Sequence, residues 1–152
     1  MATMVSTATT APPEAVWAVV ADVSRHGAHI PLTTVVHDPG LPYPGWGFTA
    51  FTGLGPARMP DRMAVVEWEP PRRARFVKLG PVLLGWAEIV VEPEGSGSVV
   101  TWTEEIALPF AVRTTRRVGD VAVRRMVTGA LAGLLDEAEG TRRSVRTPDA
   151  PR

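Results

Sequence analysis

The chain has no cysteine, which excludes disulfide stapling, thiolate catalysis and cysteine-ligated zinc. It has no net charge, because 16 basic and 16 acidic side chains cancel. A dedicated nucleic-acid binder carries a basic excess, so no nucleic-acid partner is expected. No apolar run approaches the ~20 residues that cross a bilayer. The first residues also lack the basic-then-apolar pattern of a secretory signal. Stable membrane insertion is therefore not expected, and a cytoplasmic location is. There is one tyrosine, Tyr43, and one lysine, Lys78. No glycine-rich phosphate loop is present, since Gly53-Leu54-Gly55 lacks the helix such a loop must precede. No Ser-His-Asp arrangement can be defended from spacing. His26 and His29 lie three apart and His37 belongs to another element. Without a third ligand at a metal-binding spacing, neither a metal nor a cofactor is expected.

A length of 152 residues and 45% apolar content predict a single domain with a sizeable core. Residues 1–140 are expected to form it. Residues 141–152 carry arginines and prolines with almost nothing apolar, and are expected to be a disordered tail.

The one long periodic stretch is Arg113 to Gly140. Val123, Val127, Ala130, Leu131, Leu134 and Ala138 recur at spacings of three and four, which is one apolar stripe of a helix. Gly140 is a natural stop. Gly129 and Gly133 on this helix suggest a close approach to a neighbouring element or room for a ligand. Its arginines, Arg113, Arg116, Arg117, Arg124 and Arg125, read most simply as a solvated face.

Upstream, Met4 to Thr10 reads as a strand. Pro13 and Glu14 open a short helix carrying Val16, Val19, Val20 and Val23. Ser24 is placed to cap a second short helix that ends before Pro31. Strand-like runs come next at Thr33–His37, Phe48–Leu54, Arg58–Glu69, Arg73–Leu79, Val82–Glu92 and Ser98–Leu108. After the glycine- and proline-rich loop Asp38–Gly47, the separators are short and turn-rich: Gly55-Pro56, Pro70-Pro71, Gly80-Pro81 and Glu94 to Gly97. Short separators mean hairpins. The prediction is an α+β domain, with a curved antiparallel sheet of about seven strands, two short helices between strands one and two, and a long C-terminal helix.

Four segments carry a family resemblance. They are Ala11-Pro-Pro-Glu-Ala-Val-Trp17, Asp22-Val-Ser-Arg25, Val66-Glu-Trp-Glu-Pro-Pro-Arg-Arg73 and Val99-Val-Thr-Trp-Thr-Glu-Glu105. In order and spacing they resemble the START-like superfamily, also called SRPBCC or Bet v 1-like, in its bacterial polyketide cyclase/dehydrase-like branch. The resemblance implies the helix-grip fold over roughly residues 2 to 140. It also implies a small hydrophobic partner, lipid-like or polyketide-like, held between sheet and C-terminal helix. Members of the superfamily include carriers, receptors and cyclases, so fold alone does not fix activity. The alternative is a polyketide cyclase/aromatase or dehydratase working in the same cavity. Monomer and homodimer both remain open.

A curved sheet and one helix do not close completely, and large side chains or a ligand fill the gap. The expected ligand-binding set is His29, Phe48, Met63, Phe76, Trp86, Trp102, Glu104 and Met126. In the last strand Val100, Trp102, Glu104 and Ile106 share a parity and are expected to face the helix. Glu104 is then an inward carboxylate that needs a partner or a raised pKa. It is the best catalytic candidate, as a general base or as an anchor for a ligand hydroxyl. Alternatively it pairs with an arginine such as Arg125 or Arg75, or sits in water at the sheet edge. Glu88 is left out of the set, because the phase of its strand is ambiguous.

Overall fold

The computed structural model describes residues 2–81, 83–107 and 113–146, with side chains of the last segment described from 120 to 140. The element order is β1 (Thr3–Thr9), α1 (Pro13–Val20), α2 (Val23–His29), β2 (Thr33–His37), β3 (Gly47–Thr52), β4 (Met59–Glu69), β5 (Arg73–Leu79), β6 (Leu84–Glu94), β7 (Gly97–Ala107) and α3 (Arg113–Arg146). The seven strands form one antiparallel sheet in the order β1-β7-β6-β5-β4-β3-β2. Strands β2 to β7 are a meander in chain order, as hairpin-length separators require. β1 returns to the far edge and pairs with β7, Val5 opposite Trp102. This is the expected helix-grip architecture.

Each helix forms for a local reason and is held by one apolar face. α1 has Pro12 at its N-cap, Pro13 in its first turn and Glu14 near its positive end, where no amide donor is missed and a carboxylate is favoured. It buries Val16, Trp17, Val19 and Val20. The cap of α2 is Asp22, not Ser24: the Asp22 carboxylate accepts from the Ser24 backbone N at 3.1 Å. α3 packs on α1, β1 and α2 through Val127, Ala130, Leu131, Leu134, Leu135 and Ala138, all buried.

α3 passes its expected stop at Gly140 and continues to Arg146. A helical glycine costs only about 1 kcal/mol against alanine, and the next proline, Pro148, lies further on. The rest of the expected tail, 147–152, lies outside the described residues. So do Val82, Leu108 and the side chains of Arg113, Arg116 and Arg117. Arg124 and Arg125 are exposed.

The inward face of the sheet is set by strict alternation. Ala74, Phe76 and Lys78 share it on β5, Ala87, Ile89 and Val91 on β6, and Val100, Trp102 and Glu104 on β7, all buried. β4 shifts register between Val65 and Glu67. A bulge of this kind bends a strand and re-aims the residues beyond it. Past the shift, Trp68 packs against the core and its ring lies 5.2 Å from that of Trp17. On β6, Gly85 has φ +131°, and any Cβ there would run into the Glu105 carbonyl. The close approach of β6 and β7 at that point therefore requires glycine.

Candidate functional site

The α3 stripe seals one half of the sheet's concave face. Over the other half the sheet curls away, and a cavity of about 380 Å³ remains. Its walls come from α2, from the inward faces of β2 to β7 and from Ala122, Val123 and Met126 of α3. Phe48, Met63, Phe76, Trp102, Glu104 and Met126 all line it, so six of the eight residues expected from sequence are brought together. The Phe48 and Phe76 rings meet edge to face with centroids 5.4 Å apart, a favourable aromatic geometry.

The other two lie elsewhere. Trp86 is on the outer face of the sheet, because Ala87, Ile89 and Val91 take the inward phase of β6. There its Nε1 donates to Glu105 Oε2 at 3.0 Å, and the Arg75 guanidinium stacks 4.6 Å from its ring centroid. His29 faces α3 instead of the cavity. Its ring occupies the space above Gly133, and its Nε2 is 3.2 Å from Glu137 Oε2. Gly133 thus marks a close approach to α2, whereas Gly129 has open space around its Cα. The histidine on the cavity wall is His26, one turn earlier and on the face of Val23. It is buried, its Nε2 is 2.8 Å from the Val20 carbonyl, and its ring centroid is 5.1 Å from that of Trp102. A carbonyl only accepts, so Nε2 carries the proton. Burial holds the His26 pKa below its ordinary value against the pull of that hydrogen bond and of Asp22 and Glu104. His26 is neutral at physiological pH.

The chemistry of the site is concentrated in three side chains. Glu104 is inward as expected, but its partner is neither Arg125 nor Arg75. It is Lys78, whose Nζ lies 2.9 Å from Glu104 Oε1 and 2.5 Å from Asp61 Oδ2. The Lys78 side chain is fully buried and reaches Met63 Sδ at 3.7 Å. Asp61 lines the cavity beside Glu104, and Lys78 stands behind both. Burial alone would lower the Lys78 pKa, but Glu104 and Asp61 more than offset it, so the ammonium is held. Asp61 is pushed above the usual carboxylate range, by burial first and by Glu104, against the opposing pull of Lys78. Two buried polar atoms on this wall have no hydrogen-bond partner, Asp61 Oδ1 and Trp102 Nε1.

Sequence reasoning missed Asp61, Lys78 and the burial of His26. The first two carried a signal. Asp61 shares the parity of Met59, Met63 and Val65, and Lys78 shares that of Ala74 and Phe76, so each charged residue sits in phase with an apolar set. Among the described residues, no group of three or more His, Asp or Glu side chains is arranged to hold a metal ion. None of the helices among them is long and apolar enough to cross a membrane.

The fold recurs in solved structures. The ZhuI aromatase/cyclase of Streptomyces sp. R1128 superposes with a TM-score of 0.81 over 97% of this chain and 99% of its own, at 16% identity. The protein TTHA0849 of Thermus thermophilus gives 0.78 over 93% and 99%, at 17% identity. Ara h 8.0201 gives 0.71 over 92% and 98%, at 12% identity. At these identities the likeness concerns the fold. No curated protein matches the sequence. The family described as polyketide cyclase / dehydrase and lipid transport matches residues 1–139, from β1 through the buried stripe of α3, and it is to this family that the chain belongs.

Proposed function

We propose that the chain binds a small hydrophobic molecule, lipid-like or polyketide-like, in the cavity between the sheet and α3. The observation that carries this reading is the cavity itself, about 380 Å³ and walled mainly by Phe48, Met63, Phe76, Trp102 and aliphatic side chains. An apolar wall facing empty space forgoes dispersion contacts that a fitted apolar ligand restores. Aromatic and methionine side chains suit flat or flexible bodies. Family membership supports the same reading.

Native mass spectrometry of freshly purified protein, followed by denaturing extraction, tests it directly. A co-purified apolar compound is the expected result. Titration with the neutral dye N-phenylnaphthylamine gives a second readout. Trp102→Ala is expected to weaken dye binding by ~10-fold or more, a loss of roughly 1.4 kcal/mol. Trp86→Phe, on the outer face, should leave it within ~2-fold. Equal effects from the two substitutions would overturn the assignment of the cavity as the binding site.

A second reading, an aromatase/cyclase or dehydratase acting on a polyketide-like ligand, is favoured by one specific observation. Two carboxyl groups, Asp61 and Glu104, share one ammonium at the cavity wall. A buried carboxyl pair that shares one ammonium is suited to acid–base work, with Glu104 as the candidate base. On this reading Glu104→Gln retains dye binding and loses turnover of a poly-β-ketone substrate. Unchanged turnover would remove the candidate.

A further inference from the structure

We infer that the molecule held in the cavity carries a basic nitrogen, and that its ammonium docks against the Asp61–Glu104 carboxylates at the polar end of the cavity. The inference rests on the cavity being the ligand site, and it narrows the class of ligand.

The argument is one of charge and position. Two carboxylates meet one ammonium, so the cluster is one positive charge short when both are ionised. The carboxylates line the cavity, whereas Lys78 does not and its side chain has no exposed surface. A ligand in the cavity therefore meets the acidic side of the cluster. No arginine or lysine is among the described residues that line the cavity. The other titratable residue there, His26, is held neutral by burial and supplies no charge. Asp61 Oδ1 is buried without a hydrogen-bond partner, which leaves the charge of that carboxylate incompletely compensated. An uncompensated carboxylate is costly in an apolar enclosure and draws either a proton or a cation. Burial first, and then Glu104, raise the Asp61 pKa against the pull of Lys78.

An ammonium on an apolar body meets each requirement. Beside the two carboxylates it completes the charge and leaves its hydrocarbon against Phe48, Phe76 and Trp102. A carboxylate at the same place would be repelled by the net negative charge of the cluster. An alcohol would not supply the charge.

The test is a matched series, naphthylmethylamine, naphthylmethanol and naphthoate, each displacing N-phenylnaphthylamine from the full chain at neutral pH. The amine is expected to bind at least ~10-fold more tightly than the alcohol, and the carboxylate at least ~10-fold more weakly. In Asp61→Asn the amine's advantage should fall to ~2-fold or less, with the alcohol's Kd unchanged as the sign of an intact fold. Glu104→Gln gives an independent second variant, and the ranking on the unaltered protein decides the matter even if neither variant folds. Equal binding of amine and alcohol, preference for the carboxylate, or failure of all three to displace a bound dye overturns the inference and leaves the cavity reading standing. Failure of the dye itself to bind overturns both.

Discussion

Lys78 Nζ lies 2.9 Å from Glu104 Oε1 although a whole strand, β6, separates β5 from β7. The curl of the sheet brings the two side chains together over Ala87, which pairs with Glu104 on one side and Phe76 on the other. A small residue at Ala87 leaves the space in which they meet. The same ammonium holds Asp61 of β4, so one side chain ties three strands of the cavity wall.

Removing that ammonium while keeping its length is the sharpest test of the cluster. Lys78→Met is expected to destabilise the fold by about 3–5 kcal/mol, because it strands buried charge. The pH dependence is set by the sign of the shift. Without the opposing pull of Lys78 the Asp61 pKa, already raised by burial, rises further, so stability is kept at low pH and lost as pH rises through it. Urea denaturation should therefore show a larger loss at pH 8 than at pH 5. A loss of under about 1 kcal/mol, or one independent of pH, would mean the cluster is solvated.

His26 gives the opposite slope. Its folded-state pKa lies below the ordinary value of 6.5, burial being the main cause. The unfolded chain then binds the proton more readily, so the His26 contribution is full above about pH 6.5 and fades as pH falls through the window beneath it. The difference in Tm between pH 7.5 and pH 5.5 should shrink in His26→Gln relative to the unaltered chain. Identical differences would place His26 outside the acid response.

Three glycines of α3, Gly129, Gly133 and Gly140, separate intrinsic helix propensity from packing. Nothing lies within 4 Å of a Cβ added at Gly129 or Gly140, so alanine at either should stabilise by up to about 1 kcal/mol. At Gly133 the added methyl would overlap the His29 ring. Gly133→Ala should therefore yield no gain or a net loss, and the gain should return in the His29→Ala background. Thermal melts of the unaltered chain, Gly133→Ala, His29→Ala and the double variant form a double-mutant cycle, and equal gains at Gly129, Gly133 and Gly140 would contradict the docking of His29 on α3.

Much of this was legible before any coordinates. The α3 stripe is dictated by spacing, because a helix has one buried face and its period is fixed. The meander is dictated by turn residues between alternating runs. The inward phase of β7, and with it the direction of Glu104, comes from Val100, Trp102 and Ile106 sharing its parity. β6 was not readable in the same way. Trp86 and the aliphatic set Ala87, Ile89 and Val91 compete for the interior, and a large aromatic at an outward position, covered by Arg75, looks apolar in sequence.

What the sequence by itself determined is the set of faces: which residues of each strand and helix point the same way, and so which can share a core. It did not determine which faces meet. That Lys78 serves Asp61 and Glu104, that His26 turns to the cavity while His29 closes on Gly133, and that 380 Å³ is left open depend on sheet curl, a bulge in β4 and the angle at which α3 crosses. These come from packing many side chains at once. No local pattern encodes them, because each partner lies many residues away along the chain.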